Sequence, residues 1–228
     1  MQRPGFFLTL EGVDGSGKTT AMEFLKNKFE SAGLKVWCTR EPGGTPIADR
    51  IRAVLFNDWG GEVIDPLTEI LLFSAARNQH IKNVIEPKLE EGYVVISDRY
   101  VDSMMAYQGA ARKLSYAAGV INKLVVKDCM PTSTFYFKVD LTVAMQRSAA
   151  RGEENYLDAE SRQFKKDLIT AYDDIQRANH NRVIAINANN PIEDVQVELS
   201  RYVDTMINLH KSMILANDTT KITLANKI

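Results

Sequence analysis

The chain has 228 residues, 45% of them hydrophobic and 25% charged, and 28 Lys and Arg against 29 Asp and Glu leave a net charge of −1. These globular proportions rule out a disordered chain, and the absence of a global positive field argues against a protein that coats nucleic acid. At about 150 residues per domain, the length allows one large domain or two small ones.

Phe6 to Leu10 is a β-type apolar run that ends at Gly12 and Gly15, too short for a secretory signal and cut by Glu11. Met22, Leu25 and Phe29 recur at helical spacing until Gly33, and Val36 to Cys38 forms a second strand before the Pro42-Gly43-Gly44 loop. Ile47, Ile51, Val54 and Leu55 resume the helical period. Leu67 to Leu89 reads as one long helix stopped by Gly92, followed by a strand over Tyr93 to Ile96. Two further strands are predicted at Thr134 to Val139 and Arg182 to Ile186, with helices near 115–127, 141–151, 159–179 and 192–211. The polar stretch from Ser212 to Ile228 reads as a short helix or a loose terminus. No run approaches the roughly 18 apolar residues of a membrane span. Two cysteines, Cys38 and Cys129, make no disulfide scaffold, which points to a soluble protein in a reducing, cytoplasmic compartment with no membrane or nucleic-acid partner. His80, His180 and His210 are too scattered to suggest a metal cluster.

Five apolar strands separated by helices predict a five-stranded parallel sheet with helices on both faces, an α/β three-layer sandwich. Its first turn carries Gly12-Val13-Asp14-Gly15-Ser16-Gly17-Lys18-Thr19, a P-loop pattern placed between a strand and a helix. Glycines there let backbone N–H groups turn onto phosphate oxygens, and the helix start points its positive end at the same place. Lys18 is expected to reach the β and γ phosphates of a nucleoside triphosphate, and the Thr19 hydroxyl to ligate Mg²⁺. Asp98, at the end of the third strand, is placed to face that Mg²⁺, partly through water; an N-cap on the next helix is the alternative.

Two classes of P-loop protein compete. A guanine-nucleotide switch needs an Asn-Lys-x-Asp run, and Asn122-Lys123-Leu124-Val125 lacks the Asp. A phosphotransferase needs a second anion site and arginines to offset transferred charge, for which the chain offers Arg40, Arg52, Arg77, Arg99, Arg147 and Arg151.

Four segments then resemble thymidylate kinases of the bacterial type, in order and spacing, over about residues 5–210. They are the loop from Leu10 to Thr20, Thr39-Arg40-Glu41-Pro42-Gly43-Gly44-Thr45, Leu72-Phe73-Ser74-Ala75-Ala76-Arg77, and Ser97-Asp98-Arg99-Tyr100 running on to Ala106-Tyr107-Gln108-Gly109. The resemblance implies transfer of the ATP γ-phosphoryl to dTMP in a homodimer, with one kinase domain over 1–211, a lid near 141–160 and a tail at 212–228 of unknown role. It implies that Gly12 to Thr20 bind ATP, that Arg99 and Arg52 hold the acceptor phosphate, and that Phe73 stacks on thymine while Arg77 donates to its O4. The resemblance further implies that Asp14 takes the acceptor 3′-hydroxyl, that Tyr107 crowds the sugar 2′ position, and that Ser103, Met104 and Gln108 complete the pocket. Glu41 serves Mg²⁺ or the acceptor sugar, or is structural. A kinase for a 5-modified dUMP and a non-catalytic P-loop regulator are the alternatives.

The sequence departs from the family twice. Gly15 stands where eukaryotic relatives carry an arginine, and bacterial lids place Asp-Arg where Asn155-Tyr156 stand, which leaves Arg151, with Arg147, as the candidates for charge neutralisation in the transition state. Met104 stands where relatives often have Ser or Asn near N3 and C2 of the base, and a thioether cannot make those bonds.

Overall fold

The computed structural model describes residues 4–150 and 161–225, with side chains as far as Ser212. Strands β1 (Phe6–Glu11), β2 (Val36–Arg40), β3 (Val94–Asp98), β4 (Ser133–Lys138) and β5 (Val183–Asn187) form one sheet in the order β2-β3-β1-β4-β5. Every pairing is parallel. Alternation along β1 and β3 feeds both faces. Leu8, Leu10, Val94 and Ile96 pack with Leu25 and Phe29 of helix α1 (Lys18–Ser31), whereas Phe7 and Val95 pack with Ile81, Ile85 and Leu89. With both faces covered, the sheet is the middle layer of three.

This strand order positions the site. Leu10 of β1 pairs with Asp98 of β3, and Arg40 of β2 pairs with that same Asp98, so the loops that follow all three strands leave one edge of the sheet together. Backbone bonds tighten the convergence: Arg99 N–H donates to the Leu10 carbonyl and Glu41 N–H to the Asp98 carbonyl, both at 2.9 Å.

The helical layers are α2 (Pro46–Phe56), α3 (Pro66–His80), α4 (Glu86–Glu90), α5 (Val101–Met104), α6 (Ser115–Val126), α7 (Leu141–Ala149), α8 (Arg162–Ala178) and α9 (Ile192–Ala225). The expected long helix over 67–89 is α3 and α4 joined by a π turn at Ile81–Ile85; Pro87, which has no N–H to give, falls just after this break in the regular ladder. Strand boundaries differ from expectation by one or two residues, chiefly at the carboxyl ends of β2 and β3, which the backbone pairing of Arg40 and Asp98 extends.

One helix had no sequence counterpart. Residues 101–111 run from α5 into a π segment, Met105–Ala111. Val101, Asp102, Met104, Ala106, Tyr107, Gln108 and Gly109 are all buried there, polar and apolar alike, so no amphipathic stripe marks the segment. The stretch after Ser212 continues α9 as far as Ala225. In the lid interval, 141–149 is α7, and Arg151 with the rest of 151–160 lies outside the described residues.

Candidate active site

The loop Gly12–Gly17 joins β1 to α1. Gly17 caps the helix at φ 93° with no side-chain hydrogen bond, so the first N–H groups of α1 have no side chain competing for an anion. Lys18 is buried beneath the loop, its ammonium donating to the carbonyls of Gly12 and Val13 at 3.0 Å each. Burial, aided by the nearby Arg99, lowers its pKa. Gly15 tolerates no side chain, because a Cβ there would overlap the Ala144 carbonyl of α7. The missing P-loop arginine thus has a steric counterpart: α7 sits where its side chain would pass.

This loop opens on a cavity of about 660 Å³ lined by Gly15 to Ala21, Asp98, Arg147 and the β5–α9 turn, including Asn190 and Gln196. Arg147 donates to the Ala188 carbonyl at 2.7 Å, which directs its guanidinium to that turn. Val13 is buried under the loop, and Thr19 and Thr20 are exposed at its mouth.

The fit of Mg²⁺ rests on two buried oxygens. Asp98 Oδ1 and Ser16 Oγ have no hydrogen-bond partner among the described residues, although each is shut off from solvent. Orphaned oxygens on residues that line the same cavity as Thr19 are the hard donors that a cation shared with phosphates takes. Asp98 is not the cap of the next helix; Tyr100 holds that position without a side-chain bond, and the job falls to Glu11 instead.

A second, narrower cavity of about 110 Å³ is lined by all ten residues assigned to the acceptor, Asp14, Glu41, Arg52, Phe73, Arg77, Arg99, Ser103, Met104, Tyr107 and Gln108. Asp14 and Arg99 line both cavities, so the two meet there. Arg99 Nη2 donates to Asp14 Oδ1 at 2.7 Å and its guanidinium lies 5.2 Å over the Tyr107 ring. Burial opposes its charge, but Tyr107, Asp14 and Tyr172 hold its pKa well above the ordinary arginine value. Arg52 donates to the Pro42 carbonyl at 3.0 Å and rests over the Phe56 ring at 4.7 Å. Phe56 meets Phe73 edge-on at 6.4 Å.

Arg77 is held at several points. Its Nε donates to Glu41 Oε2 at 2.7 Å, Nη1 to Asn122 Oδ1 at 2.8 Å, and Nη2 to the Tyr100 carbonyl at 2.9 Å. The Met104 sulfur is 3.7 Å from Nη1 and 3.8 Å from Ser74 Oγ. Glu41 lines the acceptor cavity but is first bonded within the protein: Oε2 takes Arg77, and Oε1 lies 3.0 Å from His80 Nδ1, whose Nε2 is 2.7 Å from Thr39 Oγ1. Its structural alternative is what the geometry supports. Burial alone would raise the Glu41 carboxyl, but Arg77 and His80 hold it below the usual carboxylate range. Gln108 is likewise committed, its amide nitrogen donating to Glu69.

Sequence reasoning missed Phe56, Tyr100, His80, Asn122, Glu11 and Tyr172. Phe56 was within reach, four residues after Arg52 on one helix. Glu11 stood out as a charge closing an apolar strand. Nothing local marks Tyr172 or Asn122, which arrive from distant helices.

Comparison with known proteins agrees with this geometry. The family model for thymidylate kinase matches residues 10–199. The curated thymidylate kinase of Mesoplasma florum is 42% identical over 207 residues, covering 90% of this chain and 98% of its own. That of Pseudomonas fluorescens strain Pf0-1 is 39% identical over 210 residues, 91% of this chain and 99% of its own. A crystal structure of thymidylate kinase from Ehrlichia chaffeensis superposes with a TM-score of 0.71 at 30% identity, covering 87% of this chain and 98% of that one. With a phosphate loop and an arginine-lined pocket meeting at Asp14 and Arg99, and relatives aligned over nearly their whole length, the chain belongs to the thymidylate kinase family.

Proposed function

We propose that this protein transfers the γ-phosphoryl of ATP to dTMP, giving dTDP and ADP. The observation that supports the reading is that Asp14 and Arg99 line both cavities, where a donor phosphate in one would meet an acceptor phosphate in the other. An oxygen of the dTMP phosphate attacks the γ-phosphorus as the bond to the β–γ bridging oxygen breaks, and ADP carries away that electron pair. No covalent enzyme intermediate is needed; the protein aligns the reactants and offsets charge.

The loop N–H groups and Lys18 hold the donor phosphates, and Arg99 and Arg52 hold the acceptor phosphate. Phe73 stacks on the base, Arg77 faces its O4, Asp14 takes the 3′-hydroxyl, and Tyr107 limits the sugar 2′ position. Thr19 and Asp98 would hold Mg²⁺, which when bound supplies positive charge to the β and γ phosphates. Arg147, against the β5–α9 turn, serves the donor nucleotide, and Arg151 is left as the arginine for the transferring phosphoryl. Exposed Ile47 and Val54 of α2, Leu67 and Leu71 of α3, and Tyr116, Val120 and Leu124 of α6 form apolar stripes on helices where α3 packs against both neighbours, which supports a homodimer. Among the described residues no helix is long and apolar enough to cross a membrane; a cytoplasmic site of action follows from the reduced cysteines and the substrates.

A coupled ADP-release assay over the nucleoside monophosphates tests this. Turnover is expected with dTMP, and more weakly with dUMP and 5-substituted dUMP. ATP binding with no monophosphate turned over would make the protein a P-loop regulator.

A further inference from the structure

Glu11 is a carboxylate with no exposure, at the end of β1 and one residue before the phosphate loop. Four donors converge on it. Oε1 accepts from the backbone N–H of Tyr100 at 2.7 Å and of Ser103 at 3.3 Å, the first-turn groups of α5. Oε2 accepts from the Ser103 hydroxyl at 2.6 Å and the Tyr172 hydroxyl at 3.0 Å. Arg99 Nη1 in turn donates to those same two hydroxyls, at 3.2 Å to Ser103 and 3.4 Å to Tyr172.

Proton counting makes this arrangement directional. Each hydroxyl has one proton and two lone pairs. The two hydroxyls also lie 3.0 Å from each other, so a proton can pass between them; an ionised Glu11, an acceptor only, draws both protons to Oε2 instead and leaves lone pairs on both oxygens for Arg99. Arg99 needs such a hold. It sits at φ 70°, a conformation that costs a non-glycine residue strain, and its neighbour Tyr100 is tied down by Glu11.

We infer that Glu11 is the positioning residue for Arg99, aligning its guanidinium for the acceptor phosphate by fixing the proton direction of the Ser103 and Tyr172 hydroxyls. Ser103 comes from α5 and Tyr172 from α8, so the carboxylate ties the phosphate loop to two helices across the acceptor pocket. This rests on the reading of Arg99 as the acceptor-phosphate arginine, and the test separates the two.

Glu11→Gln keeps shape and packing but replaces Oε2 with an N–H₂ donor. The hydroxyls must then accept from residue 11, and their protons are no longer held away from Arg99. The expected result is a KM for dTMP raised about tenfold, with KM for ATP within twofold of wild type. Tyr172→Phe and Ser103→Ala remove one acceptor each and should each raise KM for dTMP by a smaller factor, while Ser103→Thr, which keeps the hydroxyl, restores it. If Glu11→Gln does not fold, these variants decide. Arg99→Ala is the reference. A raised KM for dTMP in Arg99→Ala beside an unchanged one in folded Glu11→Gln, or in both Tyr172→Phe and Ser103→Ala, overturns the role of Glu11 alone. An unchanged KM in Arg99→Ala overturns the reading of Arg99 and this inference with it. Parallel losses in KM for both substrates would mark Glu11 as merely structural and also overturn it.

Discussion

Burial raises the Glu11 carboxyl to about 7, helped by the charge of Asp102 and opposed by its hydrogen bonds and Arg99. The charged or titratable groups around it are Lys18 of α1, Arg99 after β3, Asp102 of α5, Tyr107, Tyr172 of α8 and Arg182 before β5. Tyr107 and Tyr172 are pushed above the ordinary tyrosine value, chiefly by burial, so neither ionises near neutrality. If the ionised form orders Arg99, acid weakens acceptor binding. KM for dTMP is expected to rise as pH falls through about 7, and the ratio of the Glu11→Gln value to the wild-type value to fall toward one. The dTMP phosphate takes its own proton near pH 6, but that affects both proteins alike and cancels in the ratio. A ratio flat from pH 6 to 8 would reject the link. Met104 is the second informative residue. Its thioether sits buried against Arg77 and Ser74 and lines the acceptor cavity. A site that leaves no polar group unpaired discriminates weakly. Met104→Ser is expected to raise the preference in kcat/KM for dTMP over an N3-methylated analogue; identical ratios would show that this position does not read the base.

Between elements, the site is held by buried pairs and by one close approach. Glu41 follows β2, and its ion pair to Arg77 and hydrogen bond with His80 lock that loop to α3. Removing one partner of a buried pair costs about 3–5 kcal/mol, so Glu41→Gln should lower Tm by on the order of 10 °C. Because the folded carboxyl is held below its ordinary 4.5, that stabilisation is complete above this value and fades as acid protonates the folded form. The Tm gap between variant and wild type should therefore narrow below about pH 4.5. The second constraint is α7 lying on the phosphate loop. Gly15 has φ 81° and its space is closed by the Ala144 carbonyl. Gly15→Ala combines left-handed strain of about 1–2 kcal/mol with displacement of α7, so a Tm drop of roughly 5 °C and a raised KM for ATP are expected. Thermal unfolding and initial rates check both, and an unchanged Tm would mean that α7 yields freely.

For the whole molecule, the apolar stripes of α2, α3 and α6 lie on the outer surface, on helices that also carry Arg52, Phe73 and Arg77. Association through this face would brace the acceptor pocket from behind. Leu71, half exposed on α3, is the place to test it. Leu71→Glu puts a charge in the stripe and is expected to convert a dimer to a monomer at micromolar concentration, measured by light scattering after size exclusion. A wild-type protein that is already monomeric there would refute the dimer.

Much of the molecule was legible in the residue order, because its signals are local. The glycine-rich loop between an apolar strand and a helix defines a phosphate site over eight consecutive residues, Gly12 to Thr19. The continuous apolar strands gave the parallel sheet, and Phe73 with Arg77 shared a helix face by spacing alone. The tertiary structure decided whatever depends on residues far apart in the chain. The helix over 101–111 was hidden because its buried positions, 101, 102, 104 and 106–109, fall on several sides and mix polar with apolar residues, without a stripe to betray it. The bonds that fix Glu41 come from Arg77 and His80, 36 and 39 residues away. Tyr172, 161 residues from Glu11, could join that carboxylate only once α8 had packed against the 105–111 segment and strands β4 and β5. Periodicity and turn chemistry are written in neighbouring residues, whereas the pairing of buried polar groups is settled by which elements meet.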